Sequence, residues 1–532
     1  LEARLVKAES PFASPVPRVE LVNAFERPYD NAVAAARTCY SSRLISPDDV
    51  ARDEKARALR DRIARETYAA GHHTTIQHAT FQFTLQNVSR QLVWSLLHAH
   101  PFYNSEQVSQ RYVEVAPGSL LVPRLPAPEE ALFRAAADRM VSCYQRLSAE
   151  LAAPAREEYF RIFPARRREA ERWVGAVKKR CQEVARYILP VATFTHLYHT
   201  VSGLTLHRYH RLCEQYDVPQ EAALVVEEMI AQVDARDPLF FQNIEDPIPL
   251  EETLEHALLV EHGVKAGGAA ARAFAAEFDA SLAGRRSKLV DYKVNAEASL
   301  AQAVRSVLGL PLSALPDGEA ILQVLSPRLN PYLSEALALS TVAKATRALS
   351  HPHYTFRKKL SHTADSQDQR HRMVPGSRPV LHAQYGGAAG EPDVVVPELI
   401  ERTPPAKELF LEEASRAYAD IDRLLNASVS PELALYLLPN AFPVRFEESG
   451  DLLHLHHKWT TRLCYTAQEE IWRASVDEVE EVRAVHPRIG AHLMPPCQLR
   501  DLAGVRPLCP EGPRFCGVPV WRLAVDEFER VL

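Results

Sequence analysis

A chain of 532 residues is too long for one hydrophobic core, which stops growing at roughly 250–300 residues, so two large domains or several small ones are required. With 46% apolar and 24% charged residues, the balance is that of an ordinary globular protein, and wholesale disorder is excluded. A formal net charge of -6 argues against non-specific nucleic-acid binding, which needs a basic face, but leaves room for a local phosphate site. No apolar run reaches the roughly 18 residues of a membrane-spanning helix. The opening segment has no apolar core of the signal-peptide kind. Eight cysteines are too sparse for a disulfide scaffold, which makes a reducing cytoplasm the expected compartment.

Taken in chain order, residues 51–70 carry helix-period apolar spacing. His78-Ala-Thr-Phe-Gln-Phe-Thr-Leu85 alternates and predicts a strand, and 88–99 predicts a helix. Further helices are expected over 127–153, 168–188 and 219–234. Asp246-Pro-Ile-Pro249 is a stop. A charged amphipathic run at 250–263 and an Ala-rich run at 269–283 follow and read as a helical spacer. Beyond it, 333–350, 405–426 and 466–477 predict helices. No strand–helix alternation with a glycine-rich phosphate turn occurs, so a Rossmann domain is not expected.

Weak matches recur in order across the two halves. Arg18-Val-Glu-Leu-Val-Asn23 resembles Arg286-Ser-Lys-Leu-Val-Asp291; Ser89-Arg90 resembles Thr346-Arg347; Leu189-Pro190 resembles Leu438-Pro439; Arg211-Leu-Cys213 resembles Arg462-Leu-Cys464. The offset drifts from 268 down to about 250, as an old tandem duplication with deletions would leave it. The domains expected are 1–249, a spacer at 250–285, and 286–532.

The densest polar cluster is Asn104-Ser-Glu-Gln-Val-Ser-Gln-Arg-Tyr112. It reads either as a polar loop or as a nucleotide site, with arginine gripping phosphate and glutamine meeting a base edge. Gly71-His72-His73 and His78 open the predicted strand; their spacing fits no standard zinc site, leaving structural or ligand-contact roles. Cys497, Cys509 and Cys516 are open to three readings: a metal site completed by Cys464 or His492, buried thiols, or redox chemistry.

Several of these runs resemble the flavin-dependent thymidylate synthase family. They are Ala35-Ala-Arg37-Thr-Cys39-Tyr-Ser-Ser42, Gly71 to His78 with Gln77 where the family has Glu, and Ser89-Arg90 followed by a helix and Ser109-Gln110-Arg111-Tyr112. In the second half they are Leu438-Pro439, Trp459-Thr-Thr-Arg462 and Ala467-Gln468-Glu-Glu470-Ile471. The family's Arg-His-Arg turn is replaced by His98-Ala99-His100, and Arg357-Lys358-Lys359 falls near that turn in the second half. Asp365-Ser-Gln-Asp-Gln-Arg370-His371 stands for the Ser-Gln-x-Ser-x-Arg-Tyr ending, with Asp368 in the serine's place.

The resemblance implies two α/β (α+β) domains of the thymidylate-synthase-complementing type, with helices packed on a curved antiparallel sheet. It implies reductive methylation of dUMP to dTMP, with methylenetetrahydrofolate giving the carbon and NADPH reducing FAD. Arg462 and Ser109 would be catalytic. Gln107, Ser109, Gln110, Arg111, Arg186, Gln369, Arg370 and Arg462 would bind substrate. His78, His98, His100, Arg357, Lys358, Lys359 and His457 would contact the cofactor. The partners expected are dUMP and folate, with no nucleic acid and no membrane, in a homodimer that acts as a pseudo-tetramer. The alternative is a catalytically inactive duplicate that keeps a nucleotide-binding, flavin-binding or scaffold role.

Overall fold

The computed structural model describes residues 10–532. The reading of the opening segment falls partly on residues 1–9, outside the described residues. Two compact units are formed, each from three stretches of chain. Unit 1 comprises residues up to Val141, Leu189–Lys265 and Arg416–Leu438; unit 2 comprises Ser142–Ile188, Ala266–Ser415 and Pro439–Leu532.

Unit 1 holds the strands β1 (Arg18–Ala24), β2 (Thr80–Ser89), β3 (Tyr103–Gln107) and β4 (Phe194–Ser202) in the order β1-β2-β4-β3, all pairs antiparallel. The alternation read from the sequence sends Phe81, Phe83 and Leu85 inward, where each is fully buried. The strand begins at Thr80 because His73–His78 closes into a 3-10 turn first. A bulge shifts the β2–β4 register between Leu85 and Val88. Asn87 takes φ 55 there, a left-handed conformation that asparagine tolerates better than most residues. Ser89 ends the strand and caps the helix Arg90–Ala99, its hydroxyl accepting from the Leu92 N–H at 2.9 Å.

Unit 2 repeats this plan with β5 (Ser287–Tyr292), β6 (His353–Ser361), β7 (Gly376–Ser377) and β8 (Pro443–Asp451) in the order β5-β6-β8-β7, again antiparallel. Its apolar core gathers Leu300, Val304, Ile321, Val324, Tyr354, Phe356, Trp459, Val479 and Val482. Ser361 ends β6 and caps the helix His362–Asp368. Ser361 is therefore the counterpart of Ser89, and not Thr346 as the sequence match suggested.

One junction fixes both units. In unit 1 the carboxylate of Glu221, on the helix Pro219–Arg236, accepts from the Ser89 N–H at 2.7 Å, the Ser89 hydroxyl at 2.5 Å and the Tyr436 hydroxyl at 2.7 Å. In unit 2 Glu470 accepts from the Ser361 N–H, the Ser361 hydroxyl and the Tyr187 hydroxyl, each at 2.6 Å. Serine and glutamate come from one half of the chain, and the tyrosine comes from the other. The backbone is exchanged alongside: Ala192 N–H donates to Tyr436 O at 3.0 Å in unit 1, and Ala441 N–H to Tyr187 O at 2.8 Å in unit 2.

Tyr187 to Tyr436 and Glu221 to Glu470 are both 249 residues apart, as are the helix-capping residues Ser202 and Asp451. No insertion separates these anchors. Arg462 thus corresponds in register to Cys213, and not to Arg211 as read from the sequence.

The helix expected at 333–350 is instead three short 3-10 turns. Ala338 adopts φ 51, and the Thr346 hydroxyl bonds the carbonyls of Ser340 and Ala343 in place of a helical ladder. Among the described residues no helix is long and apolar enough to cross a membrane.

Removing either tyrosine hydroxyl takes one donor from a buried carboxylate. Tyr436→Phe and Tyr187→Phe are each expected to cost about 1–3 kcal/mol, measured by denaturant unfolding. An unchanged midpoint for both variants would refute the junction's role.

The Glu221 junction also links stability to pH. Burial pushes this carboxyl up to about 7 against the pull of the Ser89 and Tyr436 donors. The folded state then holds the proton more tightly than the unfolded chain, whose carboxyl titrates near its ordinary ~4.3. This contribution to stability is complete below that value and is lost as pH rises through about 7. Burial raises Glu432 to about 7 as well, and Glu470 and Asp477 in the same direction, so Glu221 is one source of the wild-type slope among several. Glu221→Gln is expected to flatten, not abolish, the decline of unfolding free energy over this window.

Candidate functional site

In unit 2 a continuous hydrogen-bonded chain leads outward from Glu470. Gln468 Nε2 donates to the Tyr187 hydroxyl, and Gln367 Nε2 donates to Gln468 Oε1 at 2.6 Å. Arg462, at the end of the helix Leu452–Arg462, donates from Nη2 to the Gln367 carbonyl at 2.6 Å and from Nε to His371 Nε2 at 2.8 Å. His371 is an acceptor here, so it is neutral; burial and the neighbouring Arg462 hold its pKa well below the ordinary range. His457 stands edge-on to His371, the ring centres 6.0 Å apart. Gln369 is buried and bonds the Ser366 carbonyl at 3.0 Å, and Arg370 is exposed. The backbone of Tyr187 is fixed by Ala441, and that of the buried Arg186 by Asn440 Nδ2 at 3.0 Å.

Beneath this chain lies a buried ion cluster. Lys358 Nζ is 2.9 Å from Asp368, 3.3 Å from Glu448 and 2.9 Å from Glu478. Lys458 Nζ is 2.8 Å from Asp368 and also pairs with Glu448. Burial alone would lower the Lys358 pKa, but the three carboxylates outweigh it and hold it well above the usual range. Asp368 is held well below its usual range, because Lys358 and Lys458 outweigh its burial. Trp459 Nε1 and the Ser287 hydroxyl satisfy the remaining acceptors of Glu478 at 2.6 and 2.9 Å. Asp368 is therefore a core residue neutralised from inside the unit.

Arg357-Lys358-Lys359 lies within β6, and not in a turn following a helix. The strand alternation sends Lys358 to the core, while Arg357 pairs with Glu447 at 2.9 Å and Lys359 with Asp279 at 2.6 Å. The β-ladder pairings equate Lys358 with Leu85, and the 249-residue register equates Glu448 with His199 and Lys458 with Tyr209. Unit 1 fills these three places with a buried leucine and a stacked His199–Tyr209 pair, rings 5.8 Å apart.

In unit 1 Arg90 donates to Gln107 Oε1 at 3.0 Å and to the Val108 carbonyl at 2.6 Å. That pins the strand end from which the polar loop leaves. Ser109 then turns the chain, its hydroxyl accepting from the Arg111 N–H at 3.2 Å and its carbonyl from Tyr112 and Val113. Gln110 is buried, and Arg111 lies 5.6 Å from the Tyr112 ring centre. His98 meets the Trp94 carbonyl at 2.7 Å, and His100 meets Arg208 at 2.8 Å. His78 is exposed, its carbonyl taken by Asn31. Among the described residues no three His, Cys, Asp or Glu side chains already stand as a metal-ligand set.

Sequence reasoning missed Tyr187 and Tyr436. The signal was present, because each stands three residues before a repeated Pro, Pro190 and Pro439. It also missed Glu221, whose counterpart Glu470 lies in the quoted Ala467–Ile471 run.

The chain matches the family described as thymidylate synthase complementing protein over residues 20–239 and again over 288–488. A flavin-dependent thymidylate synthase of Clostridium tetani is 26% identical over 234 residues, which is 42% of this chain and 85% of that protein. One from Geobacter sulfurreducens is 32% identical over 32% of this chain and 70% of that protein. One from Sulfurisphaera tokodaii is 30% identical, the match covering 29% of this chain and 59% of that protein. Among solved structures, a UMP/dUMP methylase PolB from Streptomyces cacaoi bound with 5-Br dUMP aligns with a TM-score of 0.28 and 19% identity, over 43% of this chain and 93% of that one.

The ion cluster generates a direct test. Lys358→Leu installs the residue that unit 1 carries, but leaves Asp368 and Glu478 each short of a cation. We expect a loss of about 3–5 kcal/mol in unfolding free energy, the cost of breaking a buried pair from one side. A neutral effect would mean that the cluster does not hold the unit.

Proposed function

The chain belongs to the thymidylate synthase complementing protein family, and from that premise we propose that it is a dUMP-binding member, with Arg462 as the candidate substrate contact of unit 2 and the Ser109–Tyr112 loop as that of unit 1. The supporting observation is the chain Glu470–Tyr187–Gln468–Gln367, which fixes the backbone carbonyl on which Arg462 rests. A guanidinium held this way is oriented before substrate arrives, and it suits the negative charge that develops on a uracil ring. Ser109 and Arg111 offer a hydroxyl and a fork of N–H donors to a phosphate, with Gln107 and Gln110 beside them. In unit 2, Arg186, Gln369 and Arg370 are assigned to dUMP beside Arg462. The reaction that goes with this reading is the reductive methylation of dUMP, with methylenetetrahydrofolate and NADPH as co-substrates, by a cytoplasmic homodimer acting as a pseudo-tetramer.

FAD, when bound, supplies the hydride in this chemistry. The basic residues read as its contacts do not fit its diphosphate. Arg357, Lys358 and Lys359 are each compensated by carboxylates of their own unit. His100 is neutral, pushed down to about 4 by burial and by Arg208. This misfit favours a second reading, a nucleotide-binding duplicate without turnover.

Two measurements separate the readings. Calorimetry is expected to show dUMP binding that Arg462→Ala weakens by about 10–100-fold, as for the loss of charge-assisted hydrogen bonds. Undiminished binding would remove Arg462 from the site. Purified protein that carries a yellow chromophore or takes up FAD supports methylation. Colourless protein that binds dUMP and takes up no FAD supports the second reading.

A further inference from the structure

Four of the eight cysteines meet in unit 2. Cys464, Cys497, Cys509 and Cys516 line one cavity of about 20 Å3, together with Tyr465 and Thr466. Cys464 comes from the turn between the helices Leu452–Arg462 and Glu469–Val485. Cys497 comes from the helix Pro496–Leu502, and Cys509 and Cys516 flank the 3-10 turn Gly512–Arg514. Among the described residues no carboxylate or imidazole lines the cavity. The donor set is therefore soft and thiophilic.

The segment that brings these thiols together is poor in regular structure. After Leu502 it consists of turns and three short 3-10 pieces. Its apolar support is small: Tyr465, Ala467, Trp472 and Val520, with Val518 and Phe528 against them. Segments of this kind are commonly held by a disulfide or a metal, and all eight cysteines are free.

We propose that Cys464, Cys497, Cys509 and Cys516 form a structural site for one zinc ion. Four thiolates complete a tetrahedral shell and leave no position open for substrate, which makes the role structural and not catalytic. The cavity has room for one water-sized sphere, which suits a single ion and not a cluster containing inorganic sulfide. Cys464 Sγ rests 3.1 Å from the Thr466 hydroxyl and Cys516 Sγ 3.5 Å from the Val518 carbonyl. Binding turns these two side chains from those partners toward the cavity, and each thiol gives up its proton to solvent as its sulfur bonds the ion. The ion would tie the C-terminal segment to the Cys464–Thr466 turn. That turn carries Arg462 on one side and Gln468 on the other.

The test uses the full chain, purified without a histidine tag or chelator, with metal measured by mass spectrometry. The expected content is about one zinc per chain. Cys509→Ser is expected to bring it close to zero, and Cys39→Ser, at an exposed thiol elsewhere, to leave it unchanged. Cobalt loading of the unaltered chain, which needs no variant to fold, is expected to give the visible absorption of a tetrahedral thiolate complex. Removing the metal is expected to lower Tm. Protein that takes up neither zinc nor cobalt overturns the proposal, as does zinc content insensitive to Cys509→Ser. Iron with acid-labile sulfide overturns the single-ion assignment.

Discussion

Each unit depends on a buried carboxylate that cannot be satisfied by its own half of the chain. Glu221 and Glu470 are fully buried, and a carboxylate there is tolerated only if its oxygens accept strong hydrogen bonds. Two of the three donors are local, the N–H and hydroxyl of the serine that ends a central strand. The third is a tyrosine that lies about 215 residues away in one unit and 283 in the other. The chain must therefore fold as an exchange, because each half supplies the last donor of the other's junction. The serine cap sets where β2 or β6 stops and the next helix starts. The glutamate then docks the helix that carries it against that corner.

On this shared frame the two units resolve their cores differently. Unit 1 places Leu85, His199 and Tyr209 where unit 2 places Lys358, Glu448 and Lys458. Unit 1 obtains its packing from apolar area and ring stacking, which are forgiving of small shifts. Unit 2 must close a charge network in which every carboxylate has a cation within hydrogen-bond reach, and a network of this kind tolerates few alternative geometries. Lys358 lies in the same cluster as Asp368, and the helix bearing Asp368 also carries Gln367, the residue on which Arg462 rests. The polar core of unit 2 thus holds the floor beneath the guanidinium. Neutral His371 matters for the same reason, since only an unprotonated Nε2 accepts from Arg462.

The legible parts of the sequence were those with local physical signatures. Alternation predicted β2, and helix period predicted the helices read at 88–99, 219–234 and 405–426. The expectation of helices on antiparallel sheets agrees with the two sheets and the two family matches. The helix expected at 333–350 failed because apolar spacing does not report a left-handed Ala338 or a threonine that competes for carbonyls. Lys358 was misplaced for a different reason. A basic triplet reads as a surface or ligand feature, and nothing local reveals that the middle lysine is compensated by Glu448 and Glu478, some 90 and 120 residues later. The repeat was legible as a collinear set, but its register was not. The match of Arg211 to Arg462 rested on three residues, whereas the tyrosine, glutamate and helix-cap anchors all agree on 249.

The same contrast bears on cofactor chemistry. A dinucleotide diphosphate requires cations whose field is not already consumed, and a lysine or arginine within 3 Å of a carboxylate offers little net charge to a further anion. By that measure the basic residues of β6 belong to the architecture. For Arg462, a neutral imidazole and a backbone carbonyl are among its hydrogen-bond partners and orient the guanidinium. The oriented guanidinium is the physical reason to look for nucleotide recognition at Arg462 rather than along the lysine-bearing strand.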